Sequence, residues 1–218
     1  MTIKKIIQTY RNQFIIGALF LVGFTFIIAS FTTDTVVNNN STPKFLDVKG
    51  TWADSVLKSL TPNERIAQLF MVAAYSNKGV EHKNKINNLV SKYKIGGLIF
   101  FKGGPIREAN LTNHYQKLAK TPLMIAIDGE WGVSMRLDST TKYPRQMMLG
   151  AIQNEKLIYK MGQQIADQCK LLGIHVNFAP VIDINNNPKN PVINNRSFGE
   201  LKLQVTKLGL AYMHGMQD

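Results

Sequence analysis

The feature that most constrains this chain is the alternation, from about Thr61 onward, of short apolar runs with longer stretches of helical periodicity. Thr61, Pro62 and Glu64 supply an N-cap, a first-turn proline and an acid at the third position, so a helix is expected there, running through Ile66 and Leu69. Phe70 to Ala74 reads as a buried strand, and Val80, Ile86, Leu89, Val90 and Tyr93 then recur at helical spacing. The pattern repeats with the run Gly97 to Phe101, a helix from Pro105 to Lys120, the run Leu123 to Ile127, and a long loop. A helix from Asn154 to Leu172, the run Ile174 to Ala179 and a helix from Leu201 to His214 complete it.

Parallel neighbours need a crossover connection and are buried on both faces, so strands of this kind alternating with helices predict an α/β fold with a parallel sheet. No dinucleotide glycine fingerprint or P-loop follows the first strand, which disfavours an open nucleotide-binding sheet. The expectation is a (β/α)₈ TIM-type barrel, about half present, because four strands are half of the full set. Half a barrel leaves a strand edge unpaired and a sheet face uncovered, which favours self-association.

Ahead of the alternating region, Lys4, Lys5 and Arg11 precede an uncharged apolar stretch from Gln13 to Thr33. Its length falls between a secretory signal and a spanning helix, and Ala29-Ser30 is a poor cleavage site. The expected organisation is a signal anchor or signal peptide over 1–33, a flexible linker over 34–49, and a folded domain over 50–218. The basic N-terminal side is expected in the cytoplasm and the domain across the membrane, either anchored or released by cleavage.

The formal net charge of +12 invites a nucleic-acid reading, but the lysines are spread along predicted helices without interleaved aromatics. A solvated basic face is expected, with no nucleic-acid partner. Anionic lipid or a cell-wall polymer is the alternative partner for that charge. The single cysteine, Cys169, excludes an internal disulfide and reads as a buried apolar residue.

Chemistry in such barrels sits at the C-terminal ends of the strands. There a carboxylate can accept hydrogen bonds from vicinal hydroxyls, and a guanidinium can fork onto a neighbouring oxygen. Asp128, Arg136 and Arg196 suit substrate binding of that kind, although Asp128 could instead cap the following turn. Trp131 offers a flat face to a sugar ring or to packing, and Glu130 reads as a loop-stabilising group. Asp183 opens a turn-rich loop with Asn185 to Asn187. With one acid and no EF-hand spacing, no metal is expected there. His175 is expected in the core, and His82, His114 and His214 have no ligand spacing.

Three strings carry a family resemblance: Ile127-Asp-Gly-Glu-Trp-Gly132 with Arg136, Tyr143-Pro-Arg-Gln-Met-Met-Leu-Gly150-Ala151, and Asn177-Phe-Ala-Pro-Val-Ile-Asp183 followed by Asn190-Pro-Val-Ile and Arg196-Ser-Phe-Gly199. Over roughly residues 51–218 the chain resembles glycoside hydrolase family 3, and within it the β-N-acetylhexosaminidase branch. The resemblance implies a barrel in which Asp128 binds hydroxyls of the non-reducing-end sugar and Arg136 and Arg196 line the same subsite. It also implies a retaining, exo-acting hydrolase of N-acetylglucosamine-containing glycans, with no metal or organic cofactor. In that branch the acid/base is a histidine in a Lys-His-Phe-Pro-Gly-His-Gly motif and the nucleophile is a later aspartate. Neither motif occurs here, and Gly209 to Asp218 is similar to the helix that precedes the histidine motif. The expectation is therefore a substrate-binding half without catalytic residues. A membrane-tethered, non-catalytic sugar-binding protein is the alternative, and a β-glucosidase of the same family is a weaker one.

Overall fold

A computed structural model describes residues 50–218, and Thr51–Asp218 form one compact unit. The expected leader and linker lie outside the described residues. Among the described residues no helix is long and apolar enough to cross a membrane.

The elements in order are α1 (Thr51–Ser59), α2 (Pro62–Ala67), β1 (Met71–Tyr75), α3 (Val80–Ser91), β2 (Gly97–Lys102), α4 (Pro105–Leu118), β3 (Met124–Ile127), α5 (Gln146–Ile152), α6 (Glu155–Leu172), β4 (Val176–Asn177) and α7 (Lys202–Gln217). The four strands form one parallel sheet in the order β1-β2-β3-β4, as expected for consecutive β/α units of a barrel wall. Each strand's alternation assigns its faces. Leu98 and Phe100 of β2 are fully buried against the helices, whereas Ile99 and Phe101 on the opposite face stay half-buried. The core lies on the helix side, where Ile125 and Ile127 meet Ile158 and Ile165 of α6 and Tyr212 of α7.

Local chemistry explains the boundaries. Thr61 and Glu64 form a reciprocal capping box at the start of α2, as the sequence predicts. Asn154 caps α6 through the Leu157 amide, and Gly173 closes it in the left-handed conformation at φ 70°.

Four sequence expectations are corrected. The α1 helix, which buries no residue, is absent from the pattern reading. The expected long loop after β3 contains α5, whose Gly150 weakens the helical signal. That glycine is required because a Cβ there would lie 1.8 Å from the Phe198 carbonyl oxygen. The expected fourth strand, Ile174 to Ala179, shrinks to two residues. The Ile174 amide is taken by Cys169 at the end of α6, and the Ala179 amide turns back onto the Asn177 carbonyl. Finally, His175 is exposed at the sheet margin and outside the core, although its Nδ1 accepts from the Ile125 amide at 3.0 Å.

Cys169 is buried as expected, and its thiol is pushed up to about 11 by burial and by the neighbouring Glu108 charge. It is held as an unreactive thiol at neutral pH.

Candidate functional site

The loops at the C-terminal ends of β2, β3 and β4 converge. The loop after β3 leaves the sheet as Asp128-Gly-Glu-Trp-Gly132 and makes a short 3-10 turn, Val133–Met135, that brings Arg136 back over the strand end. Gly132 sits at φ 87°, and a Cβ there would meet the Tyr143 ring at 2.7 Å, so the tight return depends on glycine. Arg136 Nε donates to the Asp128 carbonyl at 2.8 Å while Nη2 bonds the Asp128 carboxylate through Oδ2. The guanidinium lies 4.8 Å from the centre of the Phe101 ring, which stacks on Tyr75, so the ends of β1 and β2 fix it from below. Among the described residues Asp128 Oδ1 has no hydrogen-bond partner, and Arg136 keeps three N–H groups beyond those used.

A second pair stands beside the first. Arg196, at the end of the 3-10 turn Asn194–Arg196, forks onto Glu130, with Nη2 at 2.6 Å from Oε1 and Nε at 3.0 Å from both oxygens. Its Nη1 also donates to the Val192 carbonyl at 3.2 Å. Glu130 is only 1% exposed and Arg196 34%, so the pair presents a guanidinium edge outward over a buried carboxylate. The bond to Glu130, aided by the nearby Asp128 and Asp183 charges, raises the Arg196 proton affinity. This is the loop-stabilising role expected of Glu130, and with both oxygens engaged by Arg196 it is no free acid.

The supporting contacts come from elements the sequence reading did not join. Asn177 at the end of β4 accepts from the Gly129 amide at 2.9 Å and donates back to its carbonyl at 3.3 Å, tying β4 to the β3 loop. Buried Gln146, the first residue of α5, donates to the Glu130 carbonyl at 2.5 Å. Ser197 lies against the Asp183 carbonyl and accepts from the Gly199 amide at 3.1 Å. Asp183 thus organises its loop through its backbone, while its side chain is exposed. The Trp131 ring is covered on one face by Arg145 at 4.5 Å, and Arg145 also reaches Asn195 at 2.9 Å. No cluster that could hold a metal occurs among the described residues.

Residues 61–218 match the glycosyl hydrolase family 3 N terminal domain. The chain belongs to glycosyl hydrolase family 3. Relatives of this family include beta-hexosaminidase A of Pseudoalteromonas piscicida, 40% identical over 61% of this chain and 24% of its own length. A beta-N-acetylglucosaminidase/beta-glucosidase of Cellulomonas fimi is 26% identical over 84% of this chain and 32% of its length. Among solved structures, the family 3 beta-N-acetylglucosaminidase of Paenibacillus sp. superposes with a TM-score of 0.66 at 36% identity, over 73% of this chain and 31% of that one. The chain spans between about a quarter and a third of the length of these relatives.

Within this family 3 domain the structure brings all three expected site residues, Asp128, Arg136 and Arg196, to one end of the sheet, but in two separate ion pairs. The partner of Arg196 was not legible in the sequence, because Glu130 lies 66 positions away. The roles of Asn177 and Gln146 were also missed. Their amide side chains hold main-chain groups of the loop, and the only sequence signal for them was their place inside the family motifs.

Proposed function

We propose that this chain carries the substrate-binding half of an exported, retaining β-N-acetylhexosaminidase that removes terminal residues from N-acetylglucosamine-containing glycans. The observation that carries the reading is the paired arrangement at the strand ends. Asp128 turns an unbonded carboxylate oxygen outward, and two guanidiniums, each already oriented by a carboxylate, keep N–H groups to spare. Vicinal hydroxyls donate to a carboxylate, and ring-substituent and carbonyl oxygens accept from guanidiniums, so the set suits a pyranose bearing an amide. In this reading Asp128, Arg136 and Arg196 bind the non-reducing-end sugar. The groups that attack the anomeric carbon and protonate the leaving oxygen belong to the family motifs absent from these 218 residues.

The apolar stretch Gln13 to Thr33 supports export and tethering, with the folded domain on the outer side of a membrane. Peptidoglycan or chitin fragments are the glycans such a location offers.

The test uses the whole gene product with chromogenic β-N-acetylglucosaminide and β-glucoside side by side. Preferential cleavage of the first is expected, with no cleavage by residues 1–218 alone. Faster cleavage of the β-glucoside would favour the β-glucosidase reading, consistent with the double name of the Cellulomonas relative. Cleavage by residues 1–218 would show that the catalytic groups have been misassigned. No cleavage of either by the whole product would support a sugar-binding role without catalysis.

A further inference from the structure

Asp128 and Gly129 share a peptide unit that is held at both of its polar ends. Its carbonyl, that of Asp128, accepts from Arg136 Nε at 2.8 Å, and its amide, that of Gly129, donates to Asn177 Oδ1 at 2.9 Å. The peptide is trans, so its carbonyl and amide point in opposite directions and the two side chains grip one plane from opposite sides. The preceding peptide is held as well, because the Ile127 carbonyl accepts from the Phe178 amide at 2.9 Å. With both flanking planes fixed, φ and ψ of Asp128 are fixed too. They set the direction in which its carboxylate leaves the strand end. Two of these three contacts come from the neighbouring residues Asn177 and Phe178 at the end of β4.

The two bonds made by the Asn177 carboxamide differ in what would replace them. The Gly129 carbonyl, to which Nδ2 donates at 3.3 Å, also accepts from the Gly132 amide at 3.0 Å, and the buried Tyr212 hydroxyl of α7 stands 3.5 Å away. That carbonyl stays bonded without Asn177. Among the described residues the Gly129 amide has no acceptor other than Asn177 Oδ1. Glu130 does not depend on the same contact, since Arg196 holds its carboxylate and Gln146 its carbonyl. We propose that Asn177 is a positioning residue for sugar binding, which aims the Asp128 carboxylate through the Gly129 amide without touching the sugar. The proposal rests on the sugar-site reading above and deepens it.

The test is a double-substitution cycle on the 218-residue chain carrying Trp52→Phe, so that Trp131, one residue from Glu130, alone reports N-acetylglucosamine binding by its emission. Asn177→Ala removes the acceptor, and Asn177→Leu removes it while keeping most of the side chain's volume, which separates a lost bond from a packing defect. Each is expected to move the binding midpoint about fivefold to higher sugar, the scale of one hydrogen bond. In the Asp128→Ala background the same substitutions should move it by less than about twofold, because the group they position is gone. A residue that touched the sugar itself, or that only supported the fold, would raise the midpoint by the same factor in both backgrounds. That result overturns the proposal, as does a midpoint that neither Asn177 variant moves. If Asp128→Ala itself leaves the midpoint in place, the sugar-site reading falls and the positioning role falls with it.

Discussion

Replacing Glu130 by alanine is expected to destabilise the chain by about 2–3 kcal/mol, with a lower denaturation midpoint and an unchanged denaturant slope. The carboxylate is buried, both oxygens are taken by Arg196, and the residue's carbonyl anchors α5 through Gln146. Removing one member of a buried ion pair commonly costs about 3–5 kcal/mol because the other charge is left without compensation. Here Arg196 is about a third exposed, so water recovers part of that loss and the lower figure applies. Glu130→Gln keeps an acceptor for one guanidinium N–H and should lose less than alanine. Both variants should also weaken sugar binding, since alanine leaves Arg196 held only through Val192 and glutamine leaves it one side-chain acceptor in place of the fork. A destabilisation below about 0.5 kcal/mol for the alanine variant would mean that the pair contributes little to holding the Asn190–Gly199 loop.

Glu108 gives the second large effect, and it depends on pH. On α4 this side chain is fully buried, its Oε1 accepts from Thr112 at 2.9 Å, and its Oε2 has no partner. Burial pushes its carboxyl up to about 7, partly offset by the Thr112 bond. Because the folded state holds this proton more tightly than the unfolded chain, the stability Glu108 contributes is fully present below about pH 4.5. It is lost as pH rises through about 7. Integrated over that window, the loss amounts to roughly 3 kcal/mol by pH 8. Glu108→Gln, neutral throughout, should therefore match the parent near pH 4.5 and exceed it by about 2–3 kcal/mol at pH 8. His82 and His114, whose proton affinities burial lowers, pull in the opposite direction. They are common to both proteins and cancel in the difference, which unfolding curves at the two pH values measure. A difference that does not grow with pH would show that Glu108 ionises without penalty.

The β/α alternation was legible because strands such as β2 carry uninterrupted apolar runs, here Gly97 to Phe101, and helix starts such as Thr61 carry their own capping residues. The α5 helix was not, because Gly150 answers to a contact with Phe198 rather than to local helix propensity. The fourth strand ends early because hydrogen bonds to Cys169 and Asn177 claim its flanking amides, and these depend on chain packing. In the site, Asp128 and Arg136 lie eight residues apart on one loop, and their meeting at the strand end was readable from that position. Which acid Arg196 would meet was not, since Glu130, Asp128 and Asp183 all lie close enough to act on its charge, and only the folded loops select Glu130 for the bond.

Sugar binding by Asp128 and the two arginines is read out by titrating N-acetylglucosamine into the chain carrying Trp52→Phe and following Trp131 emission. The expected result is a saturable change whose midpoint moves about tenfold or more to higher sugar in the additional variant Asp128→Ala, the cost of losing a charged hydrogen-bond acceptor. No saturable change, or a midpoint that Asp128→Ala leaves in place, would contradict it.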